Sequence, residues 1–265
     1  MKCRSNMRII HKEAQDGFVQ ITADAGGRFY RSPDGEYYDS VTTVLQSLPP
    51  DPGLIKWLKE NGTNADAMRD EAAERGSIIH SAIDRINQNK EVRLDTKFAN
   101  ANGFEREMTL DEVQAVMGYL DAKKALNLVP IRSEFMCFDK QLKVAGTVDI
   151  ECTIGGVSTE YVIESEPYLV DVKTGTLTKA AALQLSAYRK ALGPKYKNHK
   201  LAVLQVGPKL RTKKNWRLTE LEYDIDTFKH VLALHRRYNT QTTLKTVTVP
   251  EVLYAPMIAT NGENS

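Results

Sequence analysis

The chain has 265 residues, of which 42% are hydrophobic and 26% are charged, a composition typical of a soluble globular protein. No apolar run approaches the roughly 18 residues of a membrane helix, and the N-terminal residues lack the apolar core of a signal peptide. We therefore expect a cytoplasmic protein, with the mitochondrial matrix as the less favoured alternative. The cysteines, Cys3, Cys137 and Cys152, are too scattered for a CxxC metal site or a disulfide framework.

The net charge of +2 conceals one strongly basic stretch. Between Val172 and Thr219 there are 12 Lys and Arg residues and no Asp or Glu. Such a stretch suits a polyanion, because Lys and Arg neutralise phosphates and release counterions. A solvated basic surface is the alternative, but the position of the run, directly after Asp171, favours a polyanionic ligand.

The first half of the chain is predicted to form a hairpin followed by helices. Residues 28–40 fit two strands around a turn at Pro33-Asp34-Gly35. Residues 53–60 fit a short helix, and apolar residues three and four apart predict a long helix over 65–87. Residues 88–108 are polar and predict a loop.

The rest of the chain begins with a helix and then changes to strands. Thr109-Leu110-Asp111-Glu112 is a capping box, and the helix that it begins is expected to end before Pro130. The predicted strands cover 133–139, 142–153, 161–163, 168–173, 201–206 and 217–223. The predicted helices cover 179–192 and 224–239.

This order of elements predicts an α+β fold with a central mixed sheet flanked by helices. We expect one compact domain, with the helical N-terminal third packed against one edge of the sheet. Within it, residues 1–130 form the hairpin and helical part, residues 131–245 form the core sheet with its helices, and residues 246–265 form a C-terminal tail.

Two predicted strands carry acidic residues near their ends. Val144–Asp149 ends on Asp149, and Leu169–Lys173 ends on Asp171 and Lys173, which share a face because strand side chains alternate. An acid beside a lysine can hold a metal ion and a water molecule together. Asp149 has apolar neighbours in the sequence, and a buried carboxylate needs a partner, of which a metal ion is one. A turn-capping Asp149 and an exposed Asp171–Lys173 ion pair are the alternatives.

Two predicted helices present polar residues on one face. Gln184 and Tyr188, at i and i+4, indicate polar contacts to a substrate or, alternatively, a half-exposed helix face. Gly76, His80 and Asp84 recur every four residues on the long helix. Glycine in a helix costs about 1 kcal/mol relative to alanine, so we expect Gly76 to pack closely against another backbone. A lone helical histidine is more often structural, but the accompanying acids make His80 a candidate ligand.

These motifs together resemble the RecB-like nucleases of the PD-(D/E)XK superfamily of metal-dependent DNA nucleases. The likeness extends over residues 37–238 and also includes the segment Ser40–Leu45 and the basic hairpin. Stand-alone relatives of this size look like phage- or mitochondrial-type exonucleases. The motifs, in chain order, are Gly-x-x-x-His (Gly76–His80), Gly-x-Val-Asp (Gly146–Asp149), Asp-x-Lys (Asp171–Lys173) and Gln-x-x-x-Tyr (Gln184–Tyr188).

The resemblance implies a role for each matching residue. Lys173 would be the catalytic lysine, acting with Asp149 and Asp171, and Glu134 matches an acidic position that precedes the Gly-x-Val-Asp strand. The implied metal ligands are His80, Asp149 and Asp171, to which the carbonyl of Val172 could add an oxygen. The expected DNA contacts are Gln184, Tyr188, Lys179, Lys213, Lys214 and Trp216, with Tyr188, Tyr196 or Trp216 stacking on unpaired bases.

We therefore expect a Mg²⁺- or Mn²⁺-dependent exonuclease acting on single- or double-stranded DNA ends in recombination, repair or phage DNA processing. The resemblance also implies a recombination or single-strand-binding protein as partner, and no membrane. An iron–sulfur cluster, found in several members, is not expected with three scattered cysteines. The alternative is a non-catalytic DNA-binding or scaffold protein that retains the nuclease fold.

Overall fold

The computed structural model describes residues 10–13, 17–22, 28–99, 104–155, 164–208, 210 and 214–238. The strands are β1 (Ile10–Glu13), β2 (Val19–Thr22), β3 (Arg28–Arg31), β4 (Tyr37–Ser40), β5 (Lys97–Ala99), β6 (Glu105–Glu107), β7 (Val129–Asp139), β8 (Val144–Ile154), β9 (Glu166–Lys173), β10 (Lys200–Val206) and β11 (Trp216–Leu221). The α-helices are α1 (Val41–Leu45), α2 (Pro52–Asn61), α3 (Ala65–Asn87), α4 (Leu110–Ala125), α5 (Ala180–Leu192) and α6 (Ile225–Tyr238).

Nine of the described strands form one mixed sheet in the order β1-β2-β3-β4-β8-β9-β10-β11, with β7 also paired to β8. The β4–β8 and β9–β10 pairs are parallel, and the others are antiparallel. A separate two-stranded sheet is formed by β5 and β6. Helices cover both sides of the main sheet: α3 and α4 pack on one face, and α1, α5 and α6 pack on the other. The predicted mixed sheet flanked by helices is confirmed.

The long strand β8 organises the centre of the sheet. One of its edges pairs with β7 from Val144 to Thr153. Its other edge pairs with β4 at Val144 and Ala145, and with β9 only from Ile150 onward. The segment of β8 between these two neighbours, residues 146–149, therefore lies in a gap between β4 and β9. This gap positions the candidate site.

The two larger of three hydrophobic cores in the described part of the chain lie on opposite faces of the sheet. Alternate side chains of β9 divide between them: Val170 and Val172 pack with α3 and α4, whereas Leu169 packs with α1, α5 and α6. This alternation is what a strand buried on both faces requires. Asp171 and Lys173 lie two and four residues after Leu169, so their side chains project from the same face of the sheet as Leu169, the face covered by α5.

Several local predictions are confirmed because the deciding interactions lie within a few residues. The long helix spans Ala65–Asn87 as predicted, and α4 begins with the predicted capping box between Thr109 and Glu112. A left-handed Gly193 (φ 90°) ends α5. Among the described helices, none is long and apolar enough to cross a membrane.

Other predictions were wrong. The polar segment 88–108 contains β5 and β6, because Phe98 is buried in the core beside α3. The N-terminal third does not simply pack against a sheet edge, since β1 to β4 extend the sheet itself. By contrast, the short helix predicted over 53–60 is confirmed as α2, although none of its residues is buried. The strand predicted at 161–163 lies outside the described residues.

Candidate active site

Asp171 is a buried acid at the end of β9, held from two sides. Its Oδ1 accepts hydrogen bonds from Lys173 Nζ at 2.9 Å and from Gln184 Nε2, on α5, at 2.8 Å. Its Oδ2 is buried and has no hydrogen-bond partner among the described residues. A buried, unpaired carboxylate oxygen is costly, so this atom indicates room for a further ligand.

The neighbouring peptide group of Val172 has no ladder partner on β8, because β9 diverges from β8 at this point. The β8–β9 ladder stops at the pair Ile150–Val170, so β8 no longer binds this peptide. Instead the Val172 N–H donates to Asp149 Oδ2 at 2.7 Å, and the Val172 carbonyl lies 3.0 Å from His80 Nε2. The end of the ladder thereby fixes both side chains beside Asp171.

His80, Glu134 and Asp149 form a compact cluster contributed by α3, β7 and β8. One potential ligand atom from each lies within 4.8 Å of the others. His80 Nδ1 is 3.0 Å from Glu134 Oε1 and 3.7 Å from Asp149 Oδ2. Both ring nitrogens of His80 face oxygen acceptors, so in this arrangement the imidazolium form donates from both.

Glu134 owes its position to an unusual backbone conformation. Its φ is +47° in the middle of β7, a left-handed value that a non-glycine residue rarely adopts in a strand. As a result the alternation of β7 is broken: Arg132 lies over the ring of Phe135, 3.9 Å from its centroid, although residues three apart in a regular strand point to opposite faces. Such strain is typical of functional sites.

The charges of the cluster shift one another. Burial, and then the charge of Asp149, raise the pKa of Asp171 to about 6. Burial likewise raises the pKa of Asp149, against the opposing effect of His80. Burial alone would lower the pKa of His80, but Asp149 and Glu134 outweigh it and raise that pKa to about 9. Acids crowded together with raised pKa values are frequent in catalytic and metal sites.

Gly146 admits a large side chain to the gap in the sheet. A Cβ atom at Gly146 would lie 2.2 Å from Tyr188 Cε1, so only glycine leaves room for this ring. Tyr188 is 3% exposed and packs in the core on the α5 side. A base could not stack on the buried face of Tyr188.

The site opens into a cleft of about 620 Å³. Its walls include His80, Asp149, Asp171, Lys173, Gln184 and Tyr188. They also include three basic residues that the sequence interpretation missed, Arg28 of β3, Arg85 of α3 and Lys97 of β5. They lie far apart along the chain, and no local spacing links them to Asp171. The cleft thus combines an acidic floor with a partly basic rim.

The remaining predicted contacts lie elsewhere. Lys179, Lys214 and Trp216 are not among the residues that line the cleft, and Lys213 lies outside the described residues. Trp216 is half-buried against the core, with Lys214 Nζ 5.0 Å from its ring centroid. Tyr196 is buried and bonded to Arg132 and Glu151, so the prediction that it stacks on bases was wrong.

Two further expectations need correction. A Cβ at Gly76 would meet nothing within 4 Å, so this glycine does not serve close packing; it lines the cleft. The basic run is acid-free in sequence but not in space. Lys190 pairs with Asp139 at 3.2 Å, and Lys200 pairs with Glu166. Part of its charge is therefore matched by acids from elsewhere in the chain.

The side chains fit a divalent cation with hard oxygen ligands. The carboxylates of Glu134 and Asp149 and the imidazole of His80 lie within 4.8 Å of one another. The Val172 carbonyl lies 3.0 Å from His80 Nε2, and Asp171 lines the same cleft. Mg²⁺ or Mn²⁺ accepts such ligands. The unpartnered Asp171 Oδ2 is the atom of this set that most needs a cation.

Comparison of the chain with models of protein families gives no match, and comparison with curated proteins gives none either. The interpretation of the site therefore depends on its own geometry.

Proposed function

We propose that this protein is a metal-dependent deoxyribonuclease of the RecB-like group in the PD-(D/E)XK superfamily, acting as an exonuclease at DNA ends. The observation that carries the proposal is the pair of buried Asp171 and half-exposed Lys173 beside the cluster of His80, Glu134 and Asp149. One carboxylate oxygen of Asp171 has no hydrogen-bond partner within the described part of the chain. Hydrolysis of a phosphodiester needs both charge neutralisation and a positioned water, and this set offers groups for each.

The residues of the chain divide these tasks. Lys173 Nζ, held at 2.9 Å from Asp171, would position the attacking water and stabilise the charge that develops on the phosphate. Gln184 fixes the orientation of Asp171 through its 2.8 Å hydrogen bond. Arg28, Arg85 and Lys97 on the rim would bind phosphates on either side of the scissile bond.

A bound Mg²⁺ or Mn²⁺ would be held by Asp149 and Asp171 with Glu134, His80 and the Val172 carbonyl, and would supply Lewis-acid stabilisation of the phosphate. His80 would have to release a proton to serve as a ligand, because its raised pKa keeps it charged.

The alternative, a DNA-binding protein without catalysis, explains the cleft less well. Phosphate binding needs cations, yet the cleft is lined by four acids, Asp84, Glu134, Asp149 and Asp171. Two of these, Glu134 and Asp149, lie within 4.8 Å of each other and would repel a phosphate unless a metal ion lay between. Burying such carboxylates is costly, which favours a catalytic use.

A degradation assay tests the proposal. End-labelled linear DNA, single- and double-stranded, and a circular substrate are incubated with the full chain in Mg²⁺, in Mn²⁺ and in a chelator. We expect metal-dependent loss of linear DNA only, and a loss of rate of about 100-fold or more in Asp171→Asn. Asp121→Asn, at an exposed position on α4, is the matched control and should retain the rate.

DNA binding without cleavage in either metal would exclude the nuclease and favour the binding protein. Degradation of circular DNA at the same rate would exclude the requirement for an end while leaving phosphodiester hydrolysis intact.

A further inference from the structure

A second groove, of about 520 Å³, runs along β7 and the C-terminal end of α3. Within the described residues β7 pairs only with β8, so the groove follows an unpaired strand edge. Its volume falls in the range of about 300–1,000 Å³ that small-molecule sites occupy. The lining includes Asn87, Gln88, Pro130, Ile131, Met136 and Thr147.

This second groove adjoins the catalytic cleft. Glu134 and Thr147 line both cavities, and Glu134 belongs to the candidate metal cluster. A chain that places one phosphate at the cluster would therefore extend into the cleft in one direction and into the second groove in the other.

The two cavities differ in charge. The cleft is lined by Arg28, Arg85, Lys97 and Lys173. Among the described residues, the second groove has one cation in its lining, Arg132. That guanidinium is already bound to Glu151 at 2.7 Å and to the Tyr196 hydroxyl. Acids also line the cleft, but once a cation is bound to them the basic residues of the cleft suit phosphates, whereas the second groove suits a neutral, flat and partly polar group.

Ile131 gives the second groove an apolar contact that the fold itself does not need. The register of β7 against β8 shifts between Pro130 and Arg132, which makes Ile131 the extra residue of a bulge. Bulges often re-aim side chains next to active sites. Ile131 is 55% exposed and lines the groove together with Gln88 and Ser133, whose Nε2 and hydroxyl donate to Asp84.

We propose that the second groove binds the base and sugar of the nucleotide that flanks the scissile phosphate, with Ile131 against the face of the base. An exposed apolar side chain suits the face of any nucleobase, so the contact is tolerant of sequence. This inference rests on the proposed function, since it places the scissile phosphate at the cluster of His80, Glu134 and Asp149.

Binding of a reaction product tests the inference apart from cleavage. The full chain is titrated with dAMP, with dTMP and with inorganic phosphate in Mg²⁺, by calorimetry. Ile131→Glu should weaken binding of both nucleotides at least ten-fold and leave that of phosphate unchanged. Val129→Glu is the matched control: Val129 is 53% exposed on the same strand but does not line the groove, and its replacement should change binding less than two-fold.

Cleavage of an oligonucleotide with abasic positions provides the second readout. Removal of the base on one side of the scissile bond should lower kcat/KM in the wild-type protein, and the same removal should have little further effect in Ile131→Glu.

If Ile131→Glu remains folded and binds and cleaves as the wild type does, the inference is wrong while the nuclease stands. If Ile131-dependent nucleotide binding occurs without any cleavage, the proposed function is wrong while the groove stands as a nucleotide site. Nucleotide binding that is absent altogether, with binding of a short extended peptide to the β7 edge in its place, would also overturn the inference.

Discussion

At the residue scale, the site contains two unfavourable features, a buried carboxylate oxygen and a left-handed backbone conformation. Asp171 Oδ2 is buried and meets no partner in the described ranges of the chain, and Glu134 is held at a φ of +47°. Both features cost stability. A bound cation would account for both features. It would be the partner of Asp171 Oδ2, and Glu134 would be one of its ligands.

Replacements at Glu134 can separate its backbone from its charge. Asn adopts a left-handed φ readily, whereas β-branched Val does not. Both Glu134→Asn and Glu134→Val remove the carboxylate, so we expect cleavage to fall about 100-fold in each. Only Glu134→Val should also lose unfolding free energy, by about 1–3 kcal/mol relative to Glu134→Asn. Urea denaturation measures the difference, and equal stability of the two variants would show that the backbone is unstrained.

Two helical glycines offer a matched pair. Ala is preferred to Gly in a helix by about 1 kcal/mol. At Gly76 a Cβ meets nothing within 4 Å, whereas at Gly118 it would lie 2.4 Å from the Asn215 carbonyl oxygen. Gly76→Ala should therefore raise the midpoint of urea denaturation, and Gly118→Ala should lower it. Shifts in the same direction would contradict the packing described for α4 against the β10–β11 loop.

At the element scale, a buried ion pair joins the β5–β6 hairpin to α3 and α4. Arg106 of β6 donates to both carboxylate oxygens of Glu112 at 2.8 Å and to Glu74 of α3 at 2.9 Å. Glu112 also accepts from the Thr109 N–H as part of the capping box. Because Lys97 of the same hairpin lines the cleft, this pair positions part of the cleft rim.

The ion pair makes stability depend on pH. Burial alone would raise the pKa of Glu112, but the bonds from Arg106 and Thr109 outweigh it, so the pKa lies below its ordinary value of 4.5. The pair therefore stabilises the fold above the unfolded pKa and is lost as pH falls through the folded one. Glu112→Gln should cost about 2 kcal/mol at pH 7, and the difference from wild type should shrink at lower pH.

Denaturation at pH 7 and at pH 3 measures this effect. The neighbouring exposed variant Asp111→Asn should change the unfolding free energy by less than about 0.5 kcal/mol at either pH. A cost for Glu112→Gln that is the same at both values would mean that its charge does not contribute.

The elements themselves were largely readable from the sequence, because helix periodicity and capping are local. The 65–87 helix and the Thr109 capping box were predicted correctly. The short strands β5 and β6 were not predicted, because they depend on the burial of Phe98 against α3, which the local sequence does not indicate. The basic run was misjudged in the same way: its pairing of Lys190 with Asp139 depends on contacts about 50 residues apart in the chain.

At the scale of the whole molecule, the cleft is assembled from parts that are remote in sequence. Arg28 reaches it because β3 and β4 join the sheet beside β8. The order of the motifs along the chain was enough to predict that the acids, the lysine and His80 belong to the site. It was not enough to predict the basic rim or the left-handed conformation of Glu134, because both depend on how distant strands pair.

Metal binding should be visible in the stability of the whole chain. A ligand that binds only the folded state stabilises it, by about 2.7 kcal/mol at 100 times its Kd. Mn²⁺ should therefore raise the Tm of the wild-type protein, and Asp149→Asn should abolish most of the rise. The exposed Asp121→Asn serves as control and should behave as wild type. An equal rise in Asp149→Asn would place the metal elsewhere.

The most direct test of the central claim compares two lysines in one cleavage assay. Lys173 Nζ lies 2.9 Å from Asp171 Oδ1 in the cleft, whereas Lys179, six residues later in the same basic run, does not line it. With linear DNA and Mn²⁺, Lys173→Met should lower the cleavage rate about 100-fold or more, while Lys179→Met should remain within about three-fold of wild type, as an exposed position outside the site allows. Cleavage that survives Lys173→Met unchanged would contradict the account.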